Sequence, residues 1–326
     1  MLQIKGKHWK SLKKFSIFIK IILAFLILVI TYNILKTEDP NFKELAQSFA
    51  EIKANQSKMI TLLVIIFLMP INWLVESYKW KLAVKNIIPI SLSNAIMGTL
   101  CGLSIGNLMP NRTGEFIGKV IYLPFGYRLK GTVASIFTSI AQFTVTIFFG
   151  AISFALVTLF FLSFLFKSYV AALNIFIAIL YVFIYFNIGL ISNLKFKNKL
   201  VKKGLKYLKV LNFYNTREKL KILGLSVLRY FIFSCQFIGI LWVLSSTINV
   251  KTVLFVPISF YFNTIIPSFT FGELGLRELI NLKLSDSFMF FNTSAVLAGF
   301  LLWLLNVLIP SIFGVLFLFR AKLFPK

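Results

Sequence analysis

Apolar runs alternate with short polar stretches along the whole chain, and their lengths decide what they can be. Runs at 15–35, 59–80, 131–166, 168–192, 222–247 and 288–319 are each long enough for a helix to cross about 30 Å of hydrocarbon at about 1.5 Å per residue. Two further runs, 87–109 and 252–266, end at the helix breakers Pro110 and Pro267. Each is followed by a polar Gly-Glu turn and a second helix-like run. The pattern predicts an all-α integral membrane protein with about six spanning helices and two broken-helix hairpins.

The two broken stretches are Asn107-Leu-Met-Pro-Asn-Arg-Thr-Gly-Glu-Phe116 and Thr264-Ile-Ile-Pro-Ser-Phe-Thr-Phe-Gly-Glu-Leu-Gly-Leu-Arg-Glu278. Lipid offers no partner to backbone amides, so irregular backbone inside a bilayer survives only when it is buried in protein or lines a wet cavity. Broken helices at matching places in two halves of a chain point to a transport site. Pro110, Gly114, Pro267, Gly272 and Gly275 are the residues expected to shape these hairpins.

Charge supplies orientation. The chain carries 35 basic and 10 acidic residues, a formal +25, with a hydrophobic fraction of 58%. On a soluble chain that excess would indicate nucleic acid. Here the cations sit mostly between apolar runs, which is the positive-inside pattern and adds attraction to anionic lipid. Loop 193–221 holds ten Lys and Arg against Glu218 alone, whereas 36–58 is charge-balanced and the turn at Lys167 carries a single cation. This places loop 193–221 and both termini in the cytoplasm, and 36–58 and Lys167 outside, as in a bacterial inner membrane. Within the basic loop, 201–211 has the composition of an amphipathic helix for the inner leaflet. Run 87–109, if it crossed fully, would carry Arg112, Lys119, Arg128 and Lys130 to the outer side; a re-entrant hairpin avoids that conflict.

With these orientations, residues 1–166 and 167–326 each read as span, loop, span, hairpin, span, the first starting inside and the second outside. That is an inverted-topology repeat within a single polytopic domain.

Several charges fall in or beside apolar segments: Glu76, Arg112, Glu115, Arg229, Glu273, Arg277 and Glu278. Facing lipid unpaired, each would cost roughly 2.5–3.5 kcal/mol, so they pair or face water. Arg112 and Arg277 suit a lipid phosphate, because guanidinium offers planar bidentate donors and half-helix N-termini add amide hydrogens. Glu115 and Glu273 are placed to hold those arginines or to carry a proton; Glu278 completes the set of expected substrate-binding residues. Plainer roles stand beside these. Thr270-Phe-Gly-Glu273 has capping-box spacing, the glycines suit close helix packing, and Glu76 with Arg229 reads as a structural pair. Cys101 and Cys235, both in apolar segments, read as core thiols. His8 is the sole histidine, which leaves no histidine-based catalytic or metal constellation, and neither a metal nor a cofactor is expected.

Pro110-Asn-Arg-Thr-Gly-Glu115, and Pro267 with Gly272-Glu-Leu-Gly-Leu-Arg-Glu278, resemble the two signature stretches of the lysylphosphatidylglycerol synthase transmembrane region, a flippase-like domain. The resemblance spans nearly the whole chain. It implies movement of an aminoacyl or other phosphate-bearing lipid to the outer leaflet. In full-length relatives a soluble synthase domain follows; this sequence has none after its last span, so the resemblance implies the flippase-like role and not lipid synthesis. Two other readings remain open: a non-catalytic membrane subunit partnering enzymes of lipid or envelope-glycan synthesis, and a polyprenyl-dependent glycosyltransferase with Glu38-Asp39 as its base. A non-enzymatic protein whose partners are anionic or phosphate-bearing lipids, and not nucleic acid, is the expectation.

Overall fold

The computed structural model describes residues 52, 54–107, 109, 112–161, 165–193, 206–245, 248–266, 272–288 and 292–320, and all regular structure among them is helical. Helix α1 is Gln56–Val84, α2 Leu92–Gly106, α3 Gly114–Val120 and α4 Arg128–Phe160. Then follow α5 Lys167–Phe186, α6 Thr216–Ser245, α7 Val250–Ile265 and α8 Gly272–Phe288. The final helix is built in pieces: α9 Asn292–Trp303, a π-helical turn Leu304–Leu308, and α10 Ile309–Arg320.

Five of these segments, α1, α4, α5, α6 and the stretch 294–320, are long and apolar enough to cross a membrane. At about 1.5 Å per residue, α2 and α7 reach about 22 and 24 Å, short of the hydrocarbon thickness. The protein is an all-α integral membrane protein. Helix α1 is inverted relative to a helix of a soluble bundle. On α1, Ile60, Leu63, Val64 and Phe67 point outward, while Asn72, Glu76 and Lys79 are buried. Their spacing of three or four residues puts the polar groups on one helix face. On this helix the apolar side chains are exposed where a bilayer would lie, and the polar ones face the interior.

Asn55 starts α1 by accepting hydrogen bonds from the amides of Ser57 and Lys58. Pro70 sits inside α1 without ending it. Helices α2 and α3 form a tight antiparallel hairpin through glycines. A Cβ on Gly118 would lie 2.3 Å from Gly102 Cα, and one on Gly114 would lie 2.3 Å from the Ile105 carbonyl oxygen. Small residues at such spacing let two backbones touch, which is how membrane helices associate without a hydrophobic driving force. The Arg128 guanidinium closes the hairpin by donating to the carbonyls of Leu123 and Ile121.

The helix pairings come in matched sets. Helix α1 lies against α6 at the centre. Helix α2 packs on α10, and α7 packs on α4. Each of these last contacts is made at a glycine: Gly314 against the Leu100 carbonyl, Gly150 against the Pro257 carbonyl and Tyr261. Helix α5 leans on α4, with the Tyr261 hydroxyl of α7 donating to Asn174.

Several sequence expectations need correction. The last span begins at Asn292, not at residue 288, because Phe288 closes α8. Its irregularity is the π turn just ahead of Pro310, where the amide of Ile309 reaches back to the Leu304 carbonyl. In the described part of segment 201–211, read as an amphipathic helix for the inner leaflet, Val210 and Leu211 pack instead inside the protein among Trp80, Ala83, Phe137 and Tyr185, and the Tyr214 hydroxyl donates to the Ala83 carbonyl. Cys101 is a buried thiol, but Cys235 is exposed on the outward face of α6 and is no core residue. The run 15–35, most of loop 36–58, Pro110, Pro267 and residues 194–205 lie outside the described residues.

Candidate functional site

The buried face of α1 carries Glu76, 2% exposed, and three cations converge on its carboxylate. Lys79, one turn along α1, approaches to 2.7 Å; Lys119 on α3 approaches to 2.8 Å; Arg229 on α6 approaches to 3.1 Å. Lys119 also bonds Glu115 at 2.7 Å on its own helix. Thus Glu115, Lys119, Glu76, Lys79 and Arg229 form one continuous chain of charge from the hairpin into the centre of the bundle. Burying a charge is costly unless it is paired and hydrogen-bonded, and each ion here has at least one partner of opposite sign.

Polar side chains extend the network. The Arg229 Nε donates to Asn72 Oδ1 at 3.1 Å, and its guanidinium lies over the rings of Trp73 and Phe233. Asn72 donates to Asn306 at 2.9 Å, and Asn306 donates to Gln236 at 3.0 Å. Asn306 is aimed inward by the π turn that contains it, a device that recurs at functional sites. Lys79 is further held by Gln142 and Ser226, each at 3.3 Å. The site therefore draws on α1, α3, α4, α6 and the final helix.

Arg112 stands at the open end. It sits at the hairpin tip with φ 54°, in the left-handed region that non-glycine residues rarely adopt. Its amide donates to the Met109 carbonyl at 3.1 Å, which fixes the turn. Its Nε and Nη2 are buried and have no hydrogen-bond partner among the described residues. Its field reaches Glu115, whose side chain is 22% exposed and marks where the cluster meets the outside. In their charged forms, Lys79, Lys119 and Arg229 outnumber Glu76 and Glu115 by one, and Arg112 raises the excess to two. An anion would balance that surplus. The helix after Arg112 has only seven residues, so its dipole adds little to the positive charge of the guanidinium.

Of the five expected substrate-binding residues, the structure brings Arg112 and Glu115 into one cluster. Glu278 lies elsewhere, buried between α8 and α9 beside Asn281 and Gly299. Arg277 precedes it on α8, where Gly275 is also buried. Helix α8 begins at Gly272, and the side chain of Glu273 lies outside the described residues, as does the Thr270 partner of its capping-box reading. Glu76 and Arg229 are paired, as their reading as a structural pair anticipates, but inside a network reaching the hairpin. Lys79 and Lys119 were expected among the surface cations that set orientation; both are fully buried in ion pairs. Two signals mark them in the sequence: the helical spacings Glu76–Lys79 and Glu115–Lys119, and the alignment of Gly114-Glu-Phe-Ile-Gly-Lys119 with Gly272-Glu-Leu-Gly-Leu-Arg277.

Among the described residues no group of three or more His, Cys, Asp or Glu is arranged to hold a metal. Compared with protein-family models, with curated proteins and with solved structures, the chain finds no match.

Proposed function

We propose that this protein moves a phosphate-bearing lipid between the leaflets of a bacterial cytoplasmic membrane, with its termini inside. The observation that carries the reading is Arg112: a guanidinium with two buried donors lacking hydrogen-bond partners among the described residues, on a strained turn, beside an ion cluster with surplus positive charge. A lipid phosphate supplies the missing acceptors and the missing negative charge, in the bidentate geometry that arginine recognises. Strained backbone of this kind persists where surrounding structure holds it in place, and it clusters at ligand clamps.

In this reading α2–α3 and α7–α8 are re-entrant hairpins of an inverted repeat. The pairings support it: α2 on α10 answers α7 on α4, and α1 packs against its counterpart α6. Gly150 and Gly314, which receive those hairpin helices, occupy the same place in their helices, 150 counted from Arg128 and 314 counted from Asn292. The resemblance of the two Gly-Glu stretches to the lysylphosphatidylglycerol synthase transmembrane region agrees with the same role. Glu115 then anchors Lys119 and shares the field of Arg112, and the head group enters at their exposed side. The lipids are phospholipids, aminoacyl-phospholipids or polyprenyl phosphates.

The test is reconstitution into liposomes carrying head-group-labelled phosphatidylglycerol or a polyprenyl phosphate, with leaflet access read by an impermeant quencher. Protein-dependent access to the inner-leaflet label, reduced at least tenfold in Arg112→Ala, supports transport. Equal access with and without protein across these lipids overturns it. A depletion that changes total lipid at unchanged leaflet distribution favours the synthesis-subunit reading instead.

A further inference from the structure

Glu278 is the buried acidic group that the anion site does not use. It is 7% exposed, and neither carboxylate oxygen has a hydrogen-bond partner among the described residues. Its place is made by Gly299 on α9: a Cβ there would lie 3.3 Å from Oε2 and 3.5 Å from Oε1 of Glu278, and 2.3 Å from Asn281 Nδ2. Asn281, 2% exposed, accepts a hydrogen bond from the Ser259 hydroxyl at 2.6 Å, and Asn263 donates to the Ser259 carbonyl at 2.8 Å. Gly299 on α9 thus leaves room for the carboxyl, and the polar side chains of α7 and α8 nearest it are bonded to one another.

The charges around it are few. On α8, Arg277 is the cation whose field reaches Glu278, whereas Lys283 and Asp286 are exposed and face each other at 4.0 Å. From α7, Lys251 lies over the Phe161 ring, and the Tyr261 hydroxyl is engaged with Asn174. Helix α9 contributes no titratable residue. A bare carboxylate with no hydrogen bond is the costliest state such a group can take, and the two ways to relieve it are a bound cation and a proton. A hard metal ion asks for about six oxygen ligands. Here the Asn281 oxygen is already taken by Ser259, and among the described residues no cluster of further acids accompanies Glu278. A proton needs no ligands beyond the carboxyl itself.

We propose that Glu278 is a proton-binding site on the second hairpin, and that its protonation couples the anion site on the first hairpin to the proton gradient. The coupling rests on the transport reading; the proton site does not. The proton is taken from water on one side by the carboxylate, carried as the neutral acid while the site is closed, and released to water on the other side, which restores the carboxylate. The cationic surplus at Arg112 and the lone acid at Glu278 divide the labour between a lipid anion and a counter-moving or co-moving proton.

The decisive measurement is an infrared pH titration of the full-length protein in lipid nanodiscs, with glutamate carrying a heavy carboxyl carbon for assignment. The expected result is a protonated-carboxyl band at neutral pH that fades at alkaline pH, is absent from Glu278→Gln, and is retained at a shifted frequency in Glu278→Asp. No such band separating wild type from Glu278→Gln, in protein that stays folded, overturns the proton site. In liposomes with labelled phosphatidylglycerol, an imposed pH gradient should skew the leaflet distribution of wild type and leave that of Glu278→Gln unmoved. Movement in wild type that ignores the gradient overturns the coupling and leaves transport standing. Absence of any movement overturns transport and, with it, the coupling, while the infrared band still decides whether Glu278 holds a proton.

Discussion

The Lys119 ammonium and the Glu76 carboxylate, 43 residues apart in the chain, meet at 2.8 Å with side chains 0% and 3% exposed. That contact ties the short hairpin helix α3 to the long helix α1. It makes the position of the hairpin depend on an ion pair and not on apolar packing alone. Because Glu76 also neutralises Lys79 and Arg229, one carboxylate holds three helices' worth of sequence in register.

Glu76→Gln should therefore be among the most destabilising single changes in the protein. It leaves Lys79 and Arg229 buried without an opposite charge and Lys119 with Glu115 alone. Breaking a buried ion pair by removing one partner costs about 3–5 kcal/mol. Thermal unfolding in detergent should show a large fall in Tm. The double variant Glu76→Gln/Lys119→Met should lose less than the sum of the two single variants; strict additivity would mean that the two side chains do not interact.

Arg112 should behave in the opposite way. Its guanidinium Nε and Nη2 make no hydrogen bond among the described residues, so Arg112→Ala should leave Tm nearly unchanged while phosphate-lipid binding falls at least tenfold. Arg112→Gly relieves the positive φ and should stabilise by about 1 kcal/mol, read as a slightly higher Tm. Arg112→Lys keeps the charge and loses the fork, so it should bind weakly too. Native mass spectrometry with defined phospholipids reads all three; wild-type lipid retention in Arg112→Ala would remove the arginine from the site.

The hairpin glycines can be separated from ordinary ones. Gly118→Ala puts a methyl group 2.3 Å from Gly102 Cα, a backbone atom that cannot step aside. The expected cost is about 1–3 kcal/mol or more, as for other overpacked sites. Gly126→Ala has nothing within 4 Å and should be close to neutral. Equal Tm values for the two variants would show that α2 and α3 do not touch as described.

Asn306 bridges Asn72 and Gln236 across three helices. Asn306→Leu keeps the branched shape and strands both partners, at about 1–3 kcal/mol for each buried polar group left unsatisfied. Asn306→Asp should be no better, since it brings another charge into the interior. A Tm for Asn306→Leu equal to wild type would mean that water replaces the bridge.

The orientation drawn from loop charge is tested by single cysteines in a background lacking Cys101 and Cys235. A cysteine at Asn198 should resist an impermeant maleimide in intact cells and react after lysis. Labelling in intact cells would reverse the assignment of loop 193–221 and remove the inverted-repeat model.

By itself the sequence determined the class of the protein and the location of its irregularities. Run length against bilayer thickness is a one-dimensional criterion, so the five long apolar helices and the two short ones before the Gly-Glu stretches were legible without coordinates. The motif residues Arg112 and Glu115 were legible for a similar reason: a charge between apolar runs must find a partner or water. What the chain could not say is which partner. Glu76, Lys79, Lys119, Arg229 and Asn306 are scattered over more than two hundred residues, and Lys79 and Lys119 read as surface cations because loop charge and buried charge look alike in one dimension. Only the packing of α1 against α6, and of the glycine hairpin against α1 and α4, brings them within hydrogen-bond distance. The same holds for Glu278. Its lack of a hydrogen-bond partner among the described residues is a property of what α7, α8 and α9 place around it, which no spacing within α8 records.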